Sequence, residues 1–230
     1  MEKTYYDLTP AQGLLIMSQK ATVHKQVNNI CTSVLLDKEL DFNVLKEAIK
    51  IAYDRNDALK LCITKVGKDL KQYFSDNGLQ EIETLDFTGK SQEFMDEKLH
   101  KLAEKPITHH DKPLSKIYCL KSYDGKTGVF FIVSHMALDS WGITVFYKDL
   151  LKIYEVLSTG GEMPKPLVAY SSFIRKELNY KNTPEYPVDR DFWEKLLYSS
   201  EPIYADINGS QVLEKYRQKH KKPDSRYAQT

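Results

Sequence analysis

The sequence predicts an α/β fold, an α+β sandwich in which helices pack on a mixed central sheet. Two pairs of strand-like segments are joined by tight turns, at Gly67-Lys-Asp and at Tyr123-Asp-Gly-Lys, which is typical of antiparallel hairpins. The segment Val129 to Val133 is apolar at every position, which is typical of a central strand covered on both faces. Because helices and strands do not alternate strictly, a doubly wound parallel sheet is not predicted.

The first helices and strands are predicted from capping residues and periodicity. Thr9 can cap a helix whose first turn holds Pro10, where no N–H partner is needed. Ile30 to Leu36 is rich in β-branched and apolar residues and is predicted to be a strand. Asp41 then begins a helix with one buried face. The apolar residues of that face recur at helical spacing and are Val44, Leu45, Ala48, Ile49, Ala52 and Tyr53.

The remaining elements follow from the same signals. Further strands are predicted at residues 59–64, 70–74, 82–85, 116–120 and 128–133, and further helices at 91–105, 140–157, 171–180 and 189–197. In the helix at 91–105 we expect Phe94, Leu99 and Leu102 to form the apolar stripe. We also expect Trp193 to lie in the core, and Trp141 to be either a packing residue or part of a substrate site.

Composition excludes several classes of function. The chain has 230 residues with 33 basic and 32 acidic side chains, so nucleic acid is not expected as the main partner. The basic segment at residues 213–226 is predicted to be a solvated connector rather than a nucleic-acid tail. No apolar run approaches the ~20 residues of a membrane span. The N-terminal residues lack the apolar core of a signal peptide, so we expect a cytoplasmic protein.

One segment carries a candidate for chemistry. The apolar strand runs directly into His135, and Asp139 follows four residues later at the start of a helix. A histidine at a strand end is well placed for proton transfer near neutral pH, although a structural role is also open. Ser134 and His135 are neighbours whose side chains point to opposite faces of a strand, so a Ser-His-Asp triad is not predicted. Asp139 can cap the helix or pair with a cation.

No metal site is predicted. His109-His110-Asp111 lies in a polar loop and lacks further ligands at a suitable spacing. Cys31, Cys62 and Cys119 are odd in number and widely spaced, so we interpret them as reduced and mostly buried thiols.

At this point the motifs resemble a known family. Ser134-His-Met-Ala-Leu-Asp-Ser-Trp-Gly resembles the His-His-x-x-x-Asp-Gly motif of the condensation domains of nonribosomal peptide synthetases. These domains belong to the chloramphenicol-acetyltransferase-like acyltransferases. Leu8-Thr-Pro-Ala-Gln resembles the opening motif, and Arg55-Asn-Asp-Ala-Leu-Lys resembles Arg-His-x-x-Leu-Arg. Further resemblances follow in the expected order, at Tyr170-Ser-Ser-Phe-Ile and Asp191-Phe-Trp-Glu-Lys-Leu, so the similarity spans roughly residues 5 to 200.

The resemblance implies a role for each motif residue. His135 matches the second motif histidine, which takes a proton from an acceptor amine or hydroxyl, or stabilises the tetrahedral intermediate, during attack on a thioester. Asp139 matches the structural aspartate, which pairs with the last arginine of the Arg-His segment, here Lys60. Because lysine lacks the bidentate fork of arginine, we expect a weaker Lys60–Asp139 contact. Arg55 belongs to the same structural ion-pair region.

Several positions depart from the family pattern. Ser134 replaces the first motif histidine, a supporting position, and Ser140 replaces the motif glycine. Gly142 lies where a serine is common, and Arg175 where an aromatic residue is common. With Trp141 and Tyr170, Arg175 belongs to the possible substrate channel. These changes leave two hypotheses open, a catalytic acyltransferase lobe and a non-catalytic docking or scaffold module.

The resemblance also implies a domain organisation and partners. Residues 1–200 match the N-terminal lobe of a two-lobed unit, and residues 201–230 would be a connector toward a second lobe. We expect a fragment of a longer protein, little activity of this chain alone, and an exposed apolar face that favours self-association. The expected substrates are acyl thioesters on the phosphopantetheine of a carrier protein or of coenzyme A, with no bound cofactor or metal.

Overall fold

A computed structural model describes residues 3–77, 79, 81–107 and 111–199. The chain divides into two compact units, residues 1–179 and residues 180–230. The first unit contains both sheets and the candidate site. The second contains one described helix, and the predicted connector at residues 201–230 lies outside the described residues. A domain boundary at residue 200 therefore remains a prediction.

The described residues form seven β-strands and six α-helices. The strands are β1 (Tyr6–Asp7), β2 (Asn29–Leu36), β3 (Leu61–Val66), β4 (Asp69–Phe74), β5 (Thr84–Asp86), β6 (Ser115–Lys121) and β7 (Thr127–Ser134). The helices are α1 (Pro10–Ala21), α2 (Phe42–Arg55), α3 (Gln92–Ala103), α4 (Ser140–Thr159), α5 (Tyr170–Asn179) and α6 (Glu185–Tyr198). Short 3-10 turns cover Asp57–Lys60 and Tyr180–Asn182.

The main sheet has four strands in the order β2-β7-β6-β5. Its β2–β7 and β6–β7 pairs are antiparallel and its β5–β6 pair is parallel, so the predicted mixed sheet is confirmed. All eight residues of β7 are buried, as expected for a central strand. Gly128 is required there, because a Cβ atom at this position would lie 1.8 Å from the carbonyl oxygen of Val34 on β2.

The first hairpin forms a separate small sheet, in the order β1-β4-β3. The turn at Gly67 has the positive φ of 64° that glycine adopts without strain. The strand after it matches the prediction closely. The strand before it begins two residues later than expected, because Asp57–Lys60 form a 3-10 turn instead.

Helix α2 packs against α4 and buries the predicted apolar face. Asp41 caps α2 as expected, since its Oδ1 accepts the backbone N–H of Asn43 at 2.7 Å. Beneath α4, the rings of Phe131 and Phe146 lie 4.9 Å apart, which fixes α4 on the central strand. The strand that ends at the candidate site is therefore packed against α4, which α2 supports in turn.

Two expectations about aromatic residues are wrong. Phe94 is 40% exposed and Met95 is buried in its place, so the apolar stripe of α3 consists of Met95, Leu99 and Leu102. Trp193 is 57% exposed on α6, a helix with no buried residue among those the structure describes. Within the same described residues, no helix is long and apolar enough to cross a membrane.

Candidate active site

Hydrogen bonds of the backbone fix the loop after β7. The N–H groups of Ser134 and His135 donate to the carbonyl oxygens of Leu114 and Asn28, at 2.8 and 2.7 Å. The Ser134 hydroxyl is buried and accepts the N–H of Met136 at 3.3 Å. His135 is exposed, and within the described part of the chain its imidazole has no hydrogen-bond partner. Ser134 and His135 therefore form no triad, as predicted.

Gln12 connects the first helix to this loop. Thr9 and Gln12 form a reciprocal capping box at the start of α1. The Gln12 Nε2 also donates to the side-chain oxygen of Gln72 on β4 at 2.9 Å and to the carbonyl oxygen of Met136 at 3.1 Å. The opening motif thus supports the backbone next to His135.

Asp139 is the N-cap of α4, one of the two roles considered from the sequence. Its Oδ1 accepts the N–H of Gly142 at 2.7 Å. The expected contact with Lys60 is absent, because no ion pair between them is found among the described residues. The carboxylate is engaged in capping, so the loop does not depend on a cation at the position of Lys60.

Arg55 forms its ion pair with a different residue. Its Nε lies 3.0 Å from Oδ2 of Asp149. Its Nη2 donates to the carbonyl oxygens of Pro164 and Lys165, at 2.9 and 2.7 Å. The guanidinium therefore joins the end of α2 to α4 and to the loop before α5. A planar fork suits this arrangement, since it satisfies several acceptors at once.

A cavity of about 830 Å³ opens beside His135. Its wall is mostly apolar. It is lined by Thr9, Ala11, Gln12, Leu14, Leu15, Ser18, Asn56, Asp57, Ala58, His135, Met136, Ala137, Leu138, Asp139, Trp141, Gly142, Val145, Leu167, Val168, Tyr170, Phe173 and Glu177. A concave apolar wall with a few polar groups is typical of a small-molecule site.

The cavity contains some of the predicted site residues and leaves others outside. Those on its wall are His135, Asp139, Trp141, Gly142 and Tyr170. Those outside it are Ser134, Ser140, Lys60, Arg55 and Arg175. Trp141 is 71% exposed, so it is a wall residue rather than a core packing residue.

Sequence reasoning missed part of the wall. Phe173 and Glu177 follow Tyr170 at spacings of three and seven residues, so all three share one face of α5. That spacing was available as a signal. No sequence signal predicts that Leu167 and Val168 line the cavity, because they lie in an irregular loop whose path depends on the Arg55 contacts.

Tyr170 lies on the wall of the cavity. Burial raises the pKa of its hydroxyl to about 12, and the nearby carboxylates of Asp139, Glu177 and Asp57 act in the same direction. The Tyr170 N–H donates to both carboxylate oxygens of Asp57, at 2.9 Å each, which anchors the start of α5. Its ring stacks on Phe173 with centroids 5.5 Å apart.

The described part of the chain holds no candidate metal site. Among the described residues, no cluster of three or more His, Cys, Asp or Glu side chains is suited to a metal ion. His109 and His110 lie outside the described residues, and Asp111 accepts the hydroxyl of Tyr73 at 2.7 Å. Cys62 and Cys119 are buried, whereas Cys31 is exposed.

Comparisons with known proteins agree on one family. The model of the family described as Condensation domain matches residues 2–224. Surfactin synthase subunit 1 of Bacillus subtilis (strain 168) is 23% identical over 202 residues, which cover 85% of this chain and 6% of that protein. Tyrocidine synthase 2 of Brevibacillus parabrevis is 24% identical over 191 residues, covering 83% and 5%. The chain thus spans only a small part of the length of these relatives.

Solved structures show the same fold. A variant of the starter condensation domain of rhizomide synthetase, in complex with C8-CoA, has a TM-score of 0.80 at 19% identity, covering 88% of this chain and 48% of that one. The first condensation domain of the CDA synthetase has a TM-score of 0.73 at 17% identity, covering 86% and 51%. The chain spans about half the length of these solved domains. With the family model matching almost all of its residues, the chain belongs to the condensation domain family.

Proposed function

We propose that this chain supplies the histidine-bearing half of a condensation-type acyltransferase site. An acceptor amine or hydroxyl attacks the carbonyl carbon of an acyl thioester. The new C–N or C–O bond forms, the C–S bond breaks, and the thiol leaves. The imidazole of His135 takes the proton of the attacking group and returns it to the departing thiolate.

The position of His135 is the observation that carries this proposal. Its imidazole is exposed at an apolar cavity of about 830 Å³, immediately after a strand that is buried along its whole length. Hydrogen bonds at Ser134, His135 and Met136 hold the backbone of the loop. These bonds fix the backbone that carries the imidazole, so the side chain starts from a defined position on the cavity wall.

The acyl donors we propose are thioesters on phosphopantetheine, carried by a carrier protein or by coenzyme A. The relatives include a surfactin synthase and a tyrocidine synthase, and one structural neighbour was solved in complex with C8-CoA. The wall of the cavity fits an acyl group, because Leu15, Met136 and Leu138 offer apolar surface next to His135. The pantetheine arm would bring the thioester carbonyl to the imidazole.

We further propose that residues 1–200 form one lobe and that a second lobe, from the same protein or a partner, completes the site. Three apolar residues around the cavity, Leu14, Trp141 and Val168, are exposed in the described chain. The comparison with solved domains of about twice this length supports the same organisation. Because water reaches His135, we expect the 230-residue chain alone to show little or no transfer.

A docking or scaffold module is the second candidate function. Ser134 and Ser140 stand where the family motif has histidine and glycine, and Lys60 does not pair with Asp139. A module of this kind would bind an acylated carrier protein and release it unchanged.

The experiment uses the complete protein that contains this chain. A carrier protein loaded with an acyl thioester and an amine acceptor are mixed with the wild-type, His135→Ala or His24→Ala protein. The amide product is measured by mass spectrometry. His24 is an exposed histidine outside the cavity, so it is the matched control. We expect His135→Ala to lower the rate by about 10²- to 10⁴-fold and His24→Ala to leave it unchanged. Carrier binding with no product in wild type would instead support the docking module.

A further inference from the structure

The cavity beside His135 has a negatively charged wall. Its carboxylates belong to Asp57, Asp139 and Glu177. Among the described residues that line it there is no lysine or arginine, and His135 is the one basic side chain. A group that enters the cavity therefore meets a negative potential, which a low-dielectric wall strengthens.

Two of these carboxylates are compensated by helix ends. Asp57 accepts the N–H of Tyr170 at the start of α5, and Asp139 accepts the N–H of Gly142 at the start of α4. A helix N-terminus carries a partial positive charge, which offsets the charge of a capping carboxylate. Both groups thus serve the fold as well as the cavity.

Glu177 lacks such compensation. It is half-buried on α5, and within the described chain it has no hydrogen bond and no ion pair. Arg175, on the same helix, is directed elsewhere. Its guanidinium nitrogens lie 3.5 Å from the Tyr6 hydroxyl and 3.4 Å from the Ser171 hydroxyl. Glu177 therefore presents an unpaired negative charge to the cavity.

Exposed aromatic side chains line the same cavity as Glu177. Phe173 is 47% exposed and stacks on Tyr170, and Trp141 is exposed on the same cavity wall. Aromatic faces attract organic cations, most strongly where water is partly excluded. The three carboxylates also act on one aromatic residue of this wall, since Asp139, Glu177 and Asp57 add to the rise in the pKa of Tyr170 that burial causes.

We propose that this cavity binds a substrate that carries an organic ammonium group, with Glu177 as the residue that selects it and Phe173 and Trp141 beside it. This inference deepens the proposed function and rests on the cavity being the transfer site. The ammonium is a group other than the attacking nitrogen. A carboxylate partner favours the charged form of an amine, whereas attack on a thioester requires the neutral form.

The test measures binding of three unreactive probes of equal chain length to the 230-residue chain. Pentylammonium, 1-pentanol and pentanoate are titrated at pH 7 and constant ionic strength by calorimetry. The indole N–H resonance of Trp141 reports whether each probe occupies this cavity. Glu177→Gln removes the charge, and Glu47→Gln, on the exposed side of α2, makes the same change away from the cavity.

We expect pentylammonium to bind about tenfold more tightly than 1-pentanol, and pentanoate to bind most weakly. Glu177→Gln should abolish most of the ammonium preference and leave the affinity for 1-pentanol unchanged, while Glu47→Gln should behave as wild type. Equal affinities for the three probes, a preference that survives Glu177→Gln, or no shift of the Trp141 resonance would overturn the proposal. Because no thioester is present, this result is independent of whether His135 catalyses transfer.

A second measurement identifies which substrate carries the group. In the transfer assay of the complete protein, pentyltrimethylammonium, which cannot act as a nucleophile, is added as an inhibitor. Competition with the acceptor places the ammonium group on the acceptor, and competition with the thioester places it on the acyl chain. Absence of inhibition at concentrations that saturate the cavity would contradict the inference.

Discussion

Gln12 and Met136 are joined by a hydrogen bond of 3.1 Å from the amide nitrogen of Gln12 to the carbonyl oxygen of Met136. The two residues are 124 positions apart, and the bond connects the capping box of α1 to the loop that carries His135. The same nitrogen donates to Gln72 at 2.9 Å. One buried amide thus fixes the first helix, the small sheet and the candidate active-site loop together.

Gln12→Met should therefore lower both stability and transfer. It removes the donor and leaves the Met136 carbonyl and the Gln72 side chain without this partner, at a cost of about 1–3 kcal/mol in the free energy of unfolding. Urea unfolding of the 230-residue chain measures this cost. Gln26→Met, at a half-buried position outside the cavity, is the control. An unchanged midpoint for Gln12→Met would show that the bond does not support the loop.

In the complete protein, Gln12→Met should lower kcat and leave KM nearly unchanged, because it acts through the loop and does not touch the attacking atoms. Restoring the amide with Gln12→Asn should not recover activity, since the shorter side chain cannot reach both acceptors. Full activity of Gln12→Met would contradict a positioning role for this residue.

Two glycines should respond to alanine in opposite ways. At Gly128 a Cβ atom would lie 1.8 Å from the Val34 carbonyl oxygen, so Gly128→Ala must separate β2 from β7. At Gly13, in α1, nothing lies within 4 Å, so Gly13→Ala should stabilise the chain by about 0.5–1 kcal/mol. Thermal unfolding followed by circular dichroism tests both. A Gly128→Ala chain as stable as wild type would show that the two strands are not so close.

The ion pair of Arg55 and Asp149 should be worth far more than an exposed pair. Both side chains are largely removed from solvent, and Arg55→Ala leaves the Asp149 carboxylate without its cation. We expect a loss of about 3–5 kcal/mol, against less than about 1 kcal/mol for Lys152→Ala, which breaks the exposed pair with Glu155. Chemical denaturation of both variants, with Asp149→Asn to complete a double-mutant cycle, measures the difference. Similar losses of unfolding free energy for the two pairs would contradict this prediction.

Stability should fall at alkaline pH as buried tyrosines ionise. Burial raises the pKa of Tyr53, Tyr147 and Tyr170 to about 12 in the folded chain, while unfolded tyrosines titrate near about 10. The stability from keeping these hydroxyls neutral is fully present below about pH 10 and is lost as the pH rises toward 12. Unfolding free energies between about pH 9 and pH 12 test this, and Tyr170→Phe should make the decline shallower. A decline of unchanged slope in Tyr170→Phe would exclude Tyr170 as a contributor.

Local patterns predicted much of this fold and part of the site. The buried face of α2, the caps at Thr9 and Asp41, and the central position of β7 all follow from short-range periodicity and composition. His135 was found in the same way, because a fully apolar strand runs directly into it. Each of these signals lies in a short stretch of sequence, although distant strands and helices complete the buried faces that the signals predict.

The rest depended on contacts that a sequence pattern does not contain. Trp193 is expected in the core from its residue type, yet it is exposed, because burial of a helix face depends on which elements pack against it. Trp141, for which a packing role and a substrate-site role are both open from the sequence, lies on the cavity wall. The Lys60–Asp139 pair was expected from the resemblance, but the cap of α4 engages the aspartate instead. The first hairpin forms its own sheet, a difference in pairing that turn signals alone do not specify.

The most direct test of the proposed function is the single-turnover rate of acyl transfer in the complete protein with His135→Ala. Carrier-protein affinity and thermal unfolding are measured on the same samples, so that loss of binding or of folding is separated from loss of chemistry. We expect the rate constant to fall by about 10²-fold or more while affinity and melting temperature stay unchanged. A variant that transfers at the wild-type rate would contradict the role of His135 and with it the central proposal for this site.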